Sequence, residues 1–511
     1  MAAMRIRAFW RVIRRITLAP IRDQNGTGSM SATKPSTAKV KGKQSKLYSD
    51  YEKPYPRNVQ GVYRKYKWLT LIVLLAIYYL SPFLRWDRGP GAPDQAILID
   101  MPARRAYFFF IEIWPQEIYY LTGLLIIAAI VLFAATSLFG RVWCGFACFQ
   151  TVWTDLFIWV ESLVEGDRTH RIQLDKGPWS GRKFGIKLFK HFLFLIVSFL
   201  TGGAWVLYFN DATTVIFEIF EGTAGSGTYL FLFLFTATTY IMAGWAREQA
   251  CIYMCPYARF QGAMLDDESL IITYESWRGE PRGHTKPGQM NFEGRGHCVD
   301  CKACVQACPT GIDIREGSQL ACINCGLCAD ACNEVMDRFK LPRGLIAYDS
   351  IANQKYRAKG EKPQVHLLRP RTLIYIAVLV IVSAIMVFSL GTRDRLKLNV
   401  IHERAPLYSR MSDGGIRNGY TLKILNMVRV PREITFIVDG VKVSKTSIIG
   451  RENEGDNPIL PVKPDQVGDY RVFLSVARED APKGSVPITI TIHDRLTGET
   501  AKASDVFAAP E

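Results

Sequence analysis

Eight cysteines fall in one window, "CVDCKACVQACPTGIDIREGSQLACINCGLCADAC", residues 298–332. The spacing is C-x2-C-x2-C-x3-C-P followed by C-x2-C-x2-C-x3-C, the pattern of bacterial two-cluster ferredoxins. Three close thiolates wrap three corners of a [4Fe–4S] cube, and the fourth cysteine of each run is held away to ligate the other cube. One cluster is therefore expected on Cys298, Cys301, Cys304 and Cys332, and the other on Cys322, Cys325, Cys328 and Cys308. Pro309 completes the first run, and Asn333 stands where the second would carry proline, which removes no ligand. Zinc sites use cysteine pairs with a longer separation, and disulfides are disfavoured in a reducing compartment. One-electron transfer is the chemistry this spacing predicts.

The other four cysteines form two C-x3-C pairs, Cys144 with Cys148 in "RVWCGFACFQTVW" and Cys251 with Cys255 in "ACIYMCPYARFQ". Each pair follows a long apolar run. On a helix, positions i and i+4 share a face, so each pair is expected to present two sulfurs together. Four soft ligands at one depth suit Cu(I), an iron–sulfur species or a redox-active dithiol. The plainer reading is small cysteines that pack helices. Arg141, Arg247, Arg259 and Lys187 lie nearby in sequence and are expected to favour thiolate. The frames "RVWCGFACFQTVWTDL" and "REQACIYMCPYARFQGAM" share a charged residue before the first cysteine and a glutamine after the second, as an internal duplication would leave.

These sites need elements to hold them. Five windows of the 511 residues, near 67–84, 117–139, 186–208, 228–246 and 372–391, are long and apolar enough to cross a bilayer. Residues 1–67 carry 16 Lys/Arg against 3 Asp/Glu. That bias places the start in the cytoplasm by the positive-inside rule and locates much of the +16 net charge without invoking nucleic acid. The stretch 23–50, rich in Gly, Ser, Thr and Lys, is expected to be disordered. "NDATTVIFEIFEGTAGSGT" holds three acids and no Lys/Arg, so it faces outside, while 140–185 and 247–371 are basic and face inside. The expected organisation is a basic segment at 1–66, four spans with both thiol pairs at 67–246, a cytoplasmic cluster domain at 247–371, a fifth span at 372–391 and an external domain at 395–511.

The tail lacks cysteine and alternates β-rich runs ("GYTLKILNMV", "REITFIVDG", "DYRVFLSVAR", "VPITITIHD") with turn signals, which predicts an immunoglobulin-like β-sandwich. His402 and His493 read as surface residues there. His191 sits within the third apolar window as an interfacial histidine, and Glu161 and Glu165 read as the polar face of an interfacial helix. No phosphate-binding glycine loop or hydrolase triad signature accompanies these features.

Together "WCGFACFQTVW" (143–153), "REQACIYMCPYARFQGAMLDDESLIITY" (247–274), "RGEPRG" (278–283), the cluster block to "NEVMDRFKLPRGLIAYDS" (333–350) and "GGIRNGYTLKILN" (414–426) resemble the FixG/CcoG (RdxA) family, accessory proteins of cbb-type haem–copper cytochrome oxidases. The resemblance implies a multi-pass protein of the bacterial inner membrane. It implies two [4Fe–4S] clusters and reduction of Cu(II) to Cu(I) in support of oxidase assembly, with Cys144, Cys148, Cys251 and Cys255 handling the copper. Implied partners are the bilayer, an unidentified electron donor, copper ions and oxidase subunits or assembly factors. Two other functions fit the same residues: an electron-transfer subunit serving quinone or an external partner, and a non-enzymatic assembly scaffold. The family's first pair is usually followed by proline. Here Phe149 takes that place while the second pair keeps Pro256, which predicts a more regular helix around Cys148.

Overall fold

The computed structural model describes residues 53–89, 91–285, 292, 294–364, 366, 368–450 and 458–510. The basic start and the 23–50 stretch expected to be disordered lie outside the described residues. Two compact units divide the chain at Ala384/Ile385.

The first unit carries four apolar helices and most of a fifth, which runs past Ala384. Five are long and apolar enough to span a membrane: Val62–Phe83, Pro115–Phe139, Gly181–Val206, Ser226–Ala246 and Pro370–Gly391. Their outward faces, such as Leu69, Ile72 and Ile77 on the first, have no protein partner and suit lipid. Helix α1 (Val62–Leu80) is followed by a short antiparallel sheet, β1 (Ile97–Asp100), β2 (Arg105–Phe108) and β3 (Ile111–Ile113), which the sequence pattern does not announce. Gln95, fully buried, staples this sheet. Its amide donates to the Ile97 and Leu207 carbonyls and accepts the Ala212 N–H. Helix α2 (Tyr119–Phe139) ends at Gly140 in the left-handed region, a conformation glycine adopts freely. The third span, α5 (Gly181–Val206), starts on a Ser180 cap that accepts the Lys183 N–H.

Between spans two and three run α3 (Phe149–Glu165) and α4 (Arg168–Lys176). Glu161 and Glu165 do not form an exposed polar face: both are buried, Glu161 at 1% exposure. Glu161 meets Arg247 at 2.9 Å, Lys190 at 3.3 Å and Arg171 at 3.5 Å, while Glu165 meets Lys187 and Lys190 at 2.7 Å each. Asp155, on the same helix, pairs with Arg64 at 2.9 Å and Lys67 at 3.4 Å. Helix α3 thus gathers basic side chains from four other segments.

The cluster-binding segment is tied to one end of the spans. Strand β4 (Ile271–Tyr274) pairs antiparallel with β5 (Ile346–Asp349). Ahead of β4, Leu270 N–H bonds the Leu138 carbonyl and Ser269 Oγ the Ser137 carbonyl, at the last turn of α2. Arg369 holds Asp266 through two 2.8 Å bonds and also reaches Ser137. Asp330, on the helix Leu327–Arg338, accepts the Arg64 and Tyr63 N–H groups at 2.8 and 3.3 Å, so it caps the first span from a distant segment.

The second unit is a β-sandwich. One sheet has the order β10 (Lys445–Ile448), β12 (Gln466–Val476), β8 (Ile416–Asn426), β6 (Leu396–His402), with β7 (Ser409–Arg410) also on β8, and the other β11 (Leu460–Val462), β9 (Arg432–Asp439), β13 (Val486–Asp494), β14 (Thr500–Phe507). The long strands are β8, β9, β12 and β13. Alternate residues Tyr420, Leu422 and Ile424 of β8 meet Ile488, Ile490 and Ile492 of β13 in a common core. "IVDG" and "DRLTGE" lie at the ends of β9 and β13, as the turn signals predict. His402 stacks on Tyr420 and bonds Asn418, a structural role.

Burial raises the Glu161 carboxyl, but Arg247, Lys190 and Lys53 outweigh it and hold the group at about 2, against 4.5 ordinarily. Glu161→Gln strands Arg171 and Arg247 without their counter-charge and is expected to cost about 3–5 kcal/mol. The folded value is depressed, so this contribution is full above pH 4.5 and fades as pH falls toward 2. Thermal unfolding in detergent at pH 7 and at pH 3 checks both: the wild-type and Glu161→Gln midpoints should converge at the lower pH.

Candidate metal and thiol centre

The cluster cysteines line two cavities. The first is walled by Cys298, Cys301, Cys304 and Cys332, the second by Cys308, Cys322, Cys325 and Cys328, with Cys304 reaching both. The fourth cysteine of each run therefore lies with the other run's triplet. Among the described residues no three His, Cys, Asp or Glu side chains converge on a single ion; the thiols instead surround spaces. Four soft donors around each space fit a [4Fe–4S] cube in donor chemistry and arrangement. Burial pushes the Cys304, Cys322 and Cys332 thiols up to about 12. The first cavity meets the surface at Cys301, while Cys325 in the second is buried.

The two C-x3-C pairs are conformational copies of each other. Four residues before the first cysteine, Gly140 and Arg247 both have positive φ, 61° and 42°. A π-helical turn then covers Trp143–Ala147 and Ala250–Met254, so each first cysteine is the turn's second residue. The second cysteine leaves the turn in extended conformation, ψ 131° at Cys148 and 111° at Cys255. Its N–H closes a 2.8 Å bond to the residue five before it, Trp143 or Ala250. A helix follows each, α3 in one case and Tyr257–Met264 in the other. Two expectations are corrected by this geometry. The pairs do not sit on regular α-helix, and Phe149 does not make the first pair more helical than the second. Gly140 occupies the positive-φ position without strain, whereas Arg247 there costs about 1–3 kcal/mol and is held by Glu161.

The frames interlock. Gln150, after the first pair, donates to the Met242 and Arg247 carbonyls at 2.8 and 3.0 Å. Gln261, after the second, accepts from Arg141 Nε at 2.8 Å and from Cys144 Sγ at 3.2 Å. The structure thus brings all four thiols into one another's electrostatic reach: Cys144 senses Cys148 and Cys255, and Cys251 senses all three others. The expectation of thiolate is overturned for three of them. Burial pushes Cys144 up to about 11 and Cys251 up to about 12, and it raises Cys148 as well. Arg141 opposes this at Cys144 and Cys251, and the Thr151 and Gln150 N–H groups oppose it at Cys148. Arg247 and Lys187 are instead engaged by Glu161, and by Glu165 and Asp175. His191 bonds the Tyr240 hydroxyl at 2.7 Å, apart from the thiols.

The second cavity abuts this thiol site. Gly145, inside the first π turn, lies so close to the cluster loop that a Cβ would stand 2.8 and 2.9 Å from the Ile323 and Asn324 carbonyl oxygens. Cys144 packs on Ile323, Cys325 and Leu327. A further cavity is lined by Cys251, Thr310 and Ile323 and walled by Lys67, Asp155, Arg247 and Glu248. The glutamine of each frame is legible in the sequence; the close approach of Gly145 and the cap from Asp330 are not. The glutamine repeat was the available signal for the interlock.

This is a membrane-associated protein with a 4Fe–4S dicluster segment and an immunoglobulin-like domain. Family models agree: a 4Fe–4S dicluster domain matches residues 246–351, a 4Fe–4S binding domain 121–187, and the "IG-like fold at C-terminal of FixG, putative oxidoreductase" 386–510. The chain is 44% identical to the nitrogen fixation protein FixG of Rhizobium meliloti over 89% of its own length and 91% of that protein. It is 44% and 49% identical to the proteins RdxA and RdxB of Cereibacter sphaeroides, covering 88% and 91% of this chain and 93% and 97% of theirs. The chain belongs to the FixG/RdxA family. A solved FixG-related protein from Vibrio parahaemolyticus aligns with 22% of the chain and 96% of its own length, at 22% identity and a TM-score of 0.19.

Replacing Cys325 by Ser is expected to lower bound iron from about eight to about four per chain. Iron analysis after anaerobic purification checks this, and the Cys301→Ser variant should give a comparable loss from the other cavity.

Proposed function

We propose that the protein is a membrane-bound cupric reductase that supports assembly of a cbb-type cytochrome oxidase. The observation that carries this reading is the four-thiol site docked against the second cysteine-lined cavity. Cys298, Cys301, Cys304 and Cys332 would hold one [4Fe–4S] cluster and Cys308, Cys322, Cys325 and Cys328 the other. When bound there, such clusters supply one-electron transfer. Copper is the substrate. Cys144, Cys148, Cys251 and Cys255 take the ion, and soft sulfur favours Cu(I) over Cu(II). Because burial keeps three of these groups protonated, metal capture releases protons, and Arg141 offsets the negative charge left at Cys144 and Cys251. The Lys/Arg residues of 140–185 and 247–371 support a cytoplasmic side for the thiols and the cluster domain, and an odd number of spans from a cytoplasmic start supports an external β-sandwich.

The test is the double variant Cys144→Ala with Cys148→Ala in the iron-loaded protein. Anaerobic reduction with dithionite, removal of excess reductant and addition of Cu(II) should show at least a tenfold slower loss of the Cu(II) EPR signal than wild type, with iron content unchanged. An unchanged rate removes copper from these thiols and leaves an electron-transfer subunit serving another acceptor.

A further inference from the structure

The two cluster cavities stand differently to the thiol site. The first opens to the surface at Cys301. In the second no cysteine is as open as Cys301: Cys325 is buried and Cys308, Cys322 and Cys328 are partly buried. Tyr63 covers Gly326, where an added Cβ would lie 2.6 Å from the ring, and Tyr63 packs on Tyr348 with centroids 5.4 Å apart. On another side of this loop lies the first thiol frame, with Gly145 against the Ile323 and Asn324 carbonyls.

One side chain joins the three parts. Arg141, 4% exposed, donates through Nη1 to the Cys322 carbonyl at 2.8 Å and to the Leu320 carbonyl. Its Nε donates to Gln261 Oε1 at 2.8 Å, the same oxygen that accepts from Cys144 Sγ at 3.2 Å. Three hydrogen bonds therefore connect a backbone carbonyl of the second-cavity loop to a membrane-edge thiol. Gln261 is fully buried, and the Tyr257 hydroxyl lies against the same amide.

We infer that Arg141 and Gln261 are positioning residues that lock Cys144 onto the Cys308/Cys322/Cys325/Cys328 loop. That contact makes the second cavity the one electronically coupled to the thiol site, and leaves the first as the side open to an outside donor. Tunnelling falls steeply with distance, so a supporting shell that fixes the loop to within ~0.5 Å controls the hand-over. The identity of the acceptor rests on the cupric-reductase reading; the contact does not. Each Cu(II) that becomes Cu(I) takes one electron, and in the test dithionite supplies it.

The test uses the full-length, iron-loaded protein in lipid nanodiscs under anaerobic conditions. One equivalent of Cu(I), which is EPR-silent, is added to the reduced protein. The two reduced signals are assigned with Cys301→Ser and Cys325→Ser. In wild type the signal of the second site should shift and that of the first should stay, with no shift in Cys144→Ser. In Arg141→Gln and in Gln261→Leu iron content should hold, the shift should vanish, and single-turnover reduction of Cu(II) should slow at least tenfold. Arg141→Lys, which keeps the charge without the planar fork, should fall between. The inference is overturned if the first signal moves instead, or if both variants keep the shift and the rate. A wild type that shows the shift but reduces no Cu(II) sinks the reductase reading while sustaining the positioning role.

Discussion

The guanidinium of Arg141 is the interaction on which the arrangement of this site depends. It is nearly fully buried, and its donors are divided among Gln261, Leu320 and Cys322. These belong to the helix after the second thiol pair and to the loop of the second cysteine cavity. Arg141 itself belongs to the turn before the first pair. A planar fork with several fixed donors suits this task, where a lysine would offer one mobile point. A buried cation with too few partners costs several kcal/mol, so the three segments are favoured together or not at all.

A second set of buried charges holds the scaffold around that fork. Helix α3 carries Asp155, Glu161 and Glu165 inward, and their partners arrive from the first span, from the third span, from α4 and from the turn before the second pair. Apolar helices facing lipid gain little from packing against one another, because lipid is as apolar as their side chains. Ion pairs at the helix ends supply the specificity that a hydrophobic core supplies in water. Arg247 shows the trade directly: it accepts a backbone conformation that glycine holds in the sister frame, and it gains the contact with Glu161.

Much of the fold was legible because the spans, the cluster segment and the sandwich strands announce themselves by composition. Uncharged runs of about twenty residues, an eight-cysteine ladder and alternating strands are strong local signals. The site was half legible. The cysteines and the glutamine of each frame could be read, but not the π turns, since one extra residue per turn leaves no mark in hydrophobic period. Glu161 and Glu165 were misplaced for a related reason: a charged residue normally marks a solvated face, and only tertiary partners from distant segments reverse that. Gly145 gave no sign at all, because a close approach depends on what arrives from 180 residues away.

Phe149 is the residue at which local propensity and observed geometry part. Proline after the second cysteine disfavours helical geometry at that cysteine, so its replacement should let helix continue through Cys148. It does not. The extended conformation at Cys148 is enforced from both sides: the π turn before it is closed by its own N–H on the Trp143 carbonyl, and the helix after it needs a residue outside the helix to begin. Cys148 is that residue, the N-cap of α3 in extended conformation. Its position between the two turns fixes the backbone that proline would have fixed, and so the two pairs stay alike although only one keeps its proline.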